Sequence, residues 1–277
     1  MNITMKNFPV STQGLRMAVV LGFASVALLF ATTAQANNLV LNGNFLVNTG
    51  NCKVSTNGCA TDWGSTGYTF LYTSALSAQT TGYAGVTLWG PSSGGGGSAN
   101  GLGNSPVGAP FLAMDGDYES GPVTQTISGL TVGQDYQVSF WYAAAQQEGF
   151  NGATIQAMNV CLGTSGENYI NTGSQPLSGG TNASSNINCA GSGASTGLID
   201  LSSHAFSGWE YYNVDLTANS TTDVLSFLAY GNLQVPPFAL LDGVSMTPIP
   251  EPATLPLIFT GLMGGLAILK SKKWLKR

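Results

Sequence analysis

Asp135-Tyr136-Gln137-Val138-Ser139-Phe140-Trp141-Tyr142-Ala143 is the stretch whose reading decides the fold. In an extended chain, Tyr136, Val138, Phe140 and Tyr142 share one face and Gln137, Ser139 and Trp141 the other, because side chains alternate across a strand. A helix would scatter those four large residues around its circumference. The segment reads as a half-buried strand whose apolar face needs a second layer to cover it.

Working outward, the neighbouring segments carry the same period. Val123 to Ile127 alternates, and Thr154 to Leu162 sets Met158, Val160 and Leu162 in phase. Tyr68 to Tyr72, Tyr83 to Trp89 and Phe111 to Met114 are further candidate strands, as are Trp209 to Leu216, Val224 to Tyr230 and Phe238 to Met246. Asn38 to Phe45 reads as an opening strand broken by an Asn-Gly turn. Residues 90–109, with Gly94 to Gly97 and few hydrophobes, read as a flexible surface loop, and 163–197 is again polar and glycine-rich. About nine to eleven short strands without a long helical period predict an all-β, antiparallel β-sandwich.

The two ends of the chain differ from this middle. Lys6 and Arg16 lie in a positive leader, Met17 to Phe30 is apolar, and Ala34-Gln35-Ala36 offers a small-x-small cleavage site. Residues 1–36 thus read as a signal peptide, without an Arg-Arg pair, which points to the general secretory pathway. At the other end stand Pro250-Glu251-Pro252, an uncharged segment from Ala253 to Leu269, and a basic tail over 270–277. The 17 residues of the apolar segment span about 26 Å as a helix at ~1.5 Å per residue. That is slightly short of a ~30 Å hydrocarbon core, a mismatch that snorkelling flanks or bilayer thinning accommodate. The cationic end stays cytoplasmic by the positive-inside tendency, with everything upstream outside.

This ordered triple resembles the PEP-CTERM sorting signal of bacteria with an outer membrane. The resemblance covers 248–277 and implies an exosortase as processing enzyme and the inner membrane as a transient partner. It also implies a final place at the cell surface or in an exopolysaccharide or biofilm matrix. A sortase tail of the Gram-positive kind needs Leu-Pro-x-Thr-Gly, and Leu255-Pro256-Leu257-Ile258 inside the apolar run is not that. The domain layout expected is signal peptide 1–36, sandwich ectodomain 37–247 and sorting tail 248–277, with a transmembrane helix over 253–269.

Between the ends, 37–249 holds every acidic residue of the chain's 13 except Glu251, against one cation, Lys53. With no basic patch to neutralise phosphates, nucleic acid is excluded as a partner. Acidic polymers are disfavoured too, which leaves neutral glycans, cations or proteins. The four cysteines fit an oxidising compartment. Cys52 and Cys59 flank a short loop and Cys161 and Cys189 a long one. Pairing by proximity is favoured among three connectivities, and neither spacing is a zinc signature.

A second resemblance lies in the middle segment. Asn38-Leu39-Val40-Leu41-Asn42-Gly43-Asn44-Phe45, the hairpin string Val123 to Tyr136, and Leu241-Asp242-Gly243-Val244-Ser245 look like the galactose-binding-like jelly rolls of carbohydrate-binding modules. That resemblance implies a structural calcium between the opening loop and Asp242, although Leu46 stands where a carboxylate often follows the opening Phe. Asp115-Gly116-Asp117-Tyr118-Glu119 is the one local acidic cluster, and Asp115 and Asp117 are cation candidates on spacing alone. It lacks the glycine and position-12 glutamate of an EF-hand.

Catalysis has little support. His204 is the only histidine, with Asp200 and Ser203 as mere sequence neighbours. Gly193-Ala194-Ser195-Thr196-Gly197 matches G-x-S-x-G, but a nucleophile elbow joins a strand to a helix, and Asn188 to Ser192 does not read as a strand. Twelve scattered acids give no way to choose a glycosidase pair. Exposed aromatics that stack on sugar rings are the better candidates. Trp141, on the polar face of its strand, and Trp89 are the residues chosen, whereas Trp209 reads as a core anchor. The expected function is a non-enzymatic, exported envelope or matrix protein. The alternative is a module binding neutral glycans, and a secreted hydrolase is the remote one.

Overall fold

The computed structural model describes residues 37–55, 58–118, 121–170, 187–231 and 235–250. The segments expected to be a signal peptide and, nearly all of it, a sorting tail, including Ala34, Ala36, Glu251 and Pro252, lie outside the described residues, as does Glu119. Among the described residues no helix is long and apolar enough to cross a membrane.

Among the described residues, twelve strands and one short helix follow in chain order: β1 (Cys52–Lys53), β2 (Gly64–Ser65), β3 (Thr69–Tyr72), α1 (Ala75–Thr80), β4 (Phe111–Asp115), β5 (Val123–Ser128) and β6 (Asp135–Gln146). Then come β7 (Thr154–Ile170), β8 (Ile187–Ser195), β9 (Ile199–Leu201), β10 (Glu210–Thr217), β11 (Thr222–Gly231) and β12 (Pro237–Pro248). The front sheet has the order β1-β3-β4-β12-β6-β10, and the back sheet β2-β5-β11-β7-β8, with β9 also on β7. Every pairing is antiparallel. From β4 to β12 the chain crosses between sheets at nearly every connection, leaving β4-β12-β6-β10 opposite β5-β11-β7-β8. That is the jelly-roll order of a β-sandwich.

The alternation in β6 sets the two layers. Tyr136, Val138, Phe140 and Tyr142 point inward against Leu225 and Phe227 of β11 and Met158, Val160 and Leu162 of β7 in one apolar core. A second, smaller core lies on the outer side of the front sheet. There Phe70, Tyr72, Phe111, Ala113, Ala143, Ala145, Phe238 and Leu240 are covered by α1 and the 81–109 segment. The helix forms because Ser74 and Ser77 cap each other reciprocally, side chain to backbone N–H, satisfying donors that a helix start otherwise leaves open. Both disulfides join neighbours in sequence, Cys52 to Cys59 and Cys161 to Cys189.

Four sequence expectations change here. Residues 38–45 are not a strand: Asn42 and Phe45 have φ of 47° and 54°, which no strand accepts. The segment is a loop plugged into the core by fully buried Phe45 and clamped by Gln125, whose side chain bonds both the N–H and the carbonyl of Leu41 at 2.8 Å. Residues 83–89 form isolated bridges rather than a strand, because Ala84 (φ 50°) and Gly85 (φ 83°) turn the chain. The 90–109 segment is held in place rather than free: buried Gln79 donates to the Leu102 carbonyl and accepts from the Ser92 N–H, and Trp209 donates to the Gly103 carbonyl. The polar 163–170 and 187–195 stretches are strands as well, since the β7–β8 ladder needs backbone pairing rather than apolar side chains.

Candidate functional site

The covering layer stops partway along the front sheet. Beyond it, toward the start of β6, the outer faces of three adjacent strands stay open: Gln137, Ser139 and Trp141 of β6, Tyr211, Asn213 and Asp215 of β10, and Ser245 and Thr247 of β12. Register fixes this set, because Tyr211 lies opposite Trp141, Asn213 and Ser245 opposite Ser139, and Asp215 and Thr247 opposite Gln137. Trp141 is half-buried at the edge of the covered zone, and Tyr211 is 53% exposed. Their ring centroids are 5.4 Å apart with planes inclined at 60°, a favourable aromatic arrangement that fixes the indole.

A β-bulge frames the other side of Trp141. Register shifts between Asp242 and Ser245, and Gly243 sits at φ 62°. A Cβ there would lie 3.0 Å from Trp141 Cδ1 and 3.1 Å from Val107 Cγ2, so glycine lets the loop approach the indole. Val107, 51% exposed, tops the 105–108 turn. Tyr211, Trp141 and Val107 therefore form an apolar strip across a surface of hydroxyls, amides and one carboxylate.

Asp242 holds that turn. Its carboxylate is buried and accepts the Ser105 hydroxyl, and its other oxygen accepts the Gly243 N–H at 2.7 Å. Burial pushes its pKa up to about 7, with the two hydrogen bonds working against the rise. Burial disfavours the charged form by removing its hydration.

The implied calcium site does not fit these residues. Both Asp242 oxygens are occupied by Ser105 and Gly243. In the opening loop, Asn42 Nδ2 donates to the carbonyls of Val47 and Thr61, and Asn48 Nδ2 to those of Phe45 and Leu46. Amide N–H groups thus stand where a cation would gather those oxygens. Asp115 is likewise committed: its Oδ1 accepts the N–H groups of Asp117 and Tyr118, closing a turn. Among the described residues no group of three or more His, Cys, Asp or Glu could hold a metal ion.

Of the two tryptophans chosen from sequence, Trp141 has an open side and Trp89 does not. Trp89 is 6% exposed, donates its indole N–H to the Phe150 carbonyl at 2.9 Å, and is covered by the His204 ring at 3.9 Å. It anchors the covering layer because its backbone bonds Gln146 at the end of β6. Trp209 packs on Phe111, as a core anchor would. Tyr211 was missed by sequence reasoning; its signal was the register that pairs it with Trp141, which no single-strand pattern contains.

No protein-family model matches the chain, and no curated protein matches it. Solved structures with a similar strand arrangement include the carbohydrate-binding module TmCBM61 in complex with β-1,4-galactotriose, at 11% identity and TM-score 0.36, over 77% of this chain and 99% of that one. A CBM4 module follows at 16% identity and TM-score 0.34, over 76% and 99%. The Stig cyclase Fisc from Fischerella sp. TAU has 12% identity and TM-score 0.40, over 78% and 100%. Fold likeness does not imply function, which has to be argued from this chain's own residues.

Proposed function

We propose that this chain is an exported, non-enzymatic protein that binds neutral glycans on the open half of its front sheet, with Trp141 and Tyr211 as the platform. The observation that carries the reading is an indole braced by a tyrosine at the edge of an open surface of hydroxyls and amides. A sugar ring has apolar C–H faces and a polar rim, so its recognition needs an aromatic plane beside donors and acceptors. Gln137, Ser139, Asn213, Ser245 and Thr247 offer both kinds of group. One cation against twelve acids over 37–249 disfavours anionic polymers and leaves neutral ones.

Glycan-array screening followed by calorimetry tests this. Trp141→Ala lowers affinity for the best glycan at least tenfold, about 1.4 kcal/mol, while the melting temperature barely moves. Absence of binding to every neutral glycan would sink the reading.

The sorting tail completes the proposal. Pro250-Glu251-Pro252, the apolar 253–269 segment and the basic 270–277 end support processing by an exosortase-type enzyme and delivery to the envelope or its exopolysaccharide matrix. Intact-mass measurement of protein taken from the envelope decides it. A chain truncated near Pro252 supports processing, and one still ending at Arg277 refutes it.

A further inference from the structure

Beyond the far end of β6 the 202–206 segment leaves an open hollow of about 330 Å³, lined chiefly by Ser98, Asn100, Ser202, Ser203, His204 and Phe206. It is open to solvent along most of its face, a shallow depression rather than an enclosed cleft. His204 is held at φ 62°, a left-handed conformation disfavoured for any residue with a Cβ and frequent at functional positions. Three hydrogen bonds from distant parts of the chain fix it. Its N–H donates to Gln146 Oε1 at 2.6 Å, and its carbonyl accepts from Ser98 Oγ and Asn100 Nδ2, both at 2.9 Å.

The ring is oriented as tightly as the backbone. It lies nearly flat on Trp89, with centroids 3.9 Å apart and planes inclined at 24°. Asn151 Oδ1 stands 2.7 Å from Nε2. With the Asn151 amide oxygen facing Nε2, the hydrogen-bond network assigns the proton to Nε2 and a lone pair to Nδ1. Among the described residues Nδ1 has no protein partner. Histidine is itself among the residues enriched at positive φ, so what singles His204 out is the bracing of its ring by Trp89 and Asn151.

We propose that the hollow is a sugar subsite separate from the Trp141 platform, in which a hydroxyl of a neutral hexose or pentose unit donates to His204 Nδ1. The hollow's lining of serine hydroxyls, an asparagine amide and one imidazole offers the donors and acceptors that a neutral, polyhydroxylated ligand takes. Ser203 Oγ accepts the Gly152 N–H at 2.9 Å and keeps its own hydrogen to donate. Phe206 supplies an apolar flank. Gln146 lies five residues beyond Trp141 on β6, about 17 Å at ~3.3 Å per residue. The ligand class rests on the glycan-binding reading above, whereas the site rests on the clamped imidazole.

His204 is the only histidine of the chain, so histidine-selective ¹⁵N labelling gives a single imidazole to follow. The labelled full chain is titrated with cellotriose, xylotriose and β-1,4-galactotriose. At least one of them is expected to move the Nδ1 resonance saturably. His204→Asn, which tolerates the left-handed backbone, is expected to bind that sugar at least fivefold more weakly at an unchanged melting temperature. A sugar that binds without moving the imidazole, or with equal affinity to His204→Asn, overturns the subsite and leaves the Trp141 platform standing. Binding of none of the three overturns the subsite as well.

Discussion

Two strands, β6 and β12, run through both halves of the front sheet's outer side, yet the halves differ. In the covered half, β6 presents Ala143 and Ala145 and β12 presents Phe238 and Leu240, all buried beneath α1 and the 81–109 segment. In the open half, β6 presents Gln137 and Ser139 and β12 presents Ser245 and Thr247. Small side chains on β6 let a second layer approach, and polar ones decline it. Trp141 sits at the boundary, too large to be covered like the alanines and too apolar to match its polar neighbours. A strand can therefore be core on one stretch and recognition surface on the next, without a change of period.

The largest effect that would test this division is expected from Phe238→Ala. Removing a fully buried ring from the covered half costs ~3–5 kcal/mol, measured by urea unfolding, and leaves glycan affinity almost unchanged. A loss of affinity as large as that of Trp141→Ala would mean that the halves are coupled.

Asp242, at the boundary, comes next. Its folded pKa is raised from 3.8 to about 7, so the folded state holds a proton that the unfolded chain has released between those values. Stability is fully present below about pH 4, declines as pH rises through about 7, and is level above that. The span corresponds to a few kcal/mol at ~1.4 kcal/mol per pH unit. Asp242→Asn flattens that decline in unfolding midpoints taken from pH 4 to 8. An unchanged slope would place the titration elsewhere.

Smaller again is Tyr211→Ala. It removes one flank of the indole and lowers glycan affinity about three- to tenfold, in line with ~0.5–1.5 kcal/mol for an aromatic pair. Calorimetry against the Trp141→Ala and double variants would show the two losses to be less than additive, since both act on one platform. The smallest effect belongs to Ser74→Ala, which removes half of the capping box at a cost of ~1 kcal/mol. Hydrogen exchange would locate the change in α1 and the segment above it, with the open half unaffected.

Legibility in the sequence followed the kind of interaction. Strands of the sandwich core could be read where burial of one face leaves a period of two, as in β5 and the first half of β6. The covering layer could not: its glycine- and serine-rich segment is held by Gln79, Asn100 and Trp209, single side chains bonded to backbone many residues away. The opening strand and the 83–89 strand failed for a related reason, since left-handed residues at Asn42, Phe45 and Ala84 leave no mark in an alternation of apolar and polar residues. At the candidate site Trp141 was legible as an aromatic out of phase with its face, and Tyr211 was not. Trp89, chosen only as an available aromatic, lies beneath His204, because exposure depends on what folds over a residue.

By itself the sequence determined the all-β class, the inward face of β6 and the acidic character of the middle segment, because hydrophobic period and charge are local properties of the chain. Only the tertiary structure decided which aromatics are open, that Asp242 is spent on Ser105 and its own strand, and that His204 is clamped beside a hollow. Those outcomes depend on contacts between residues up to 137 positions apart, as between Ser105 and Asp242, and no local pattern records them.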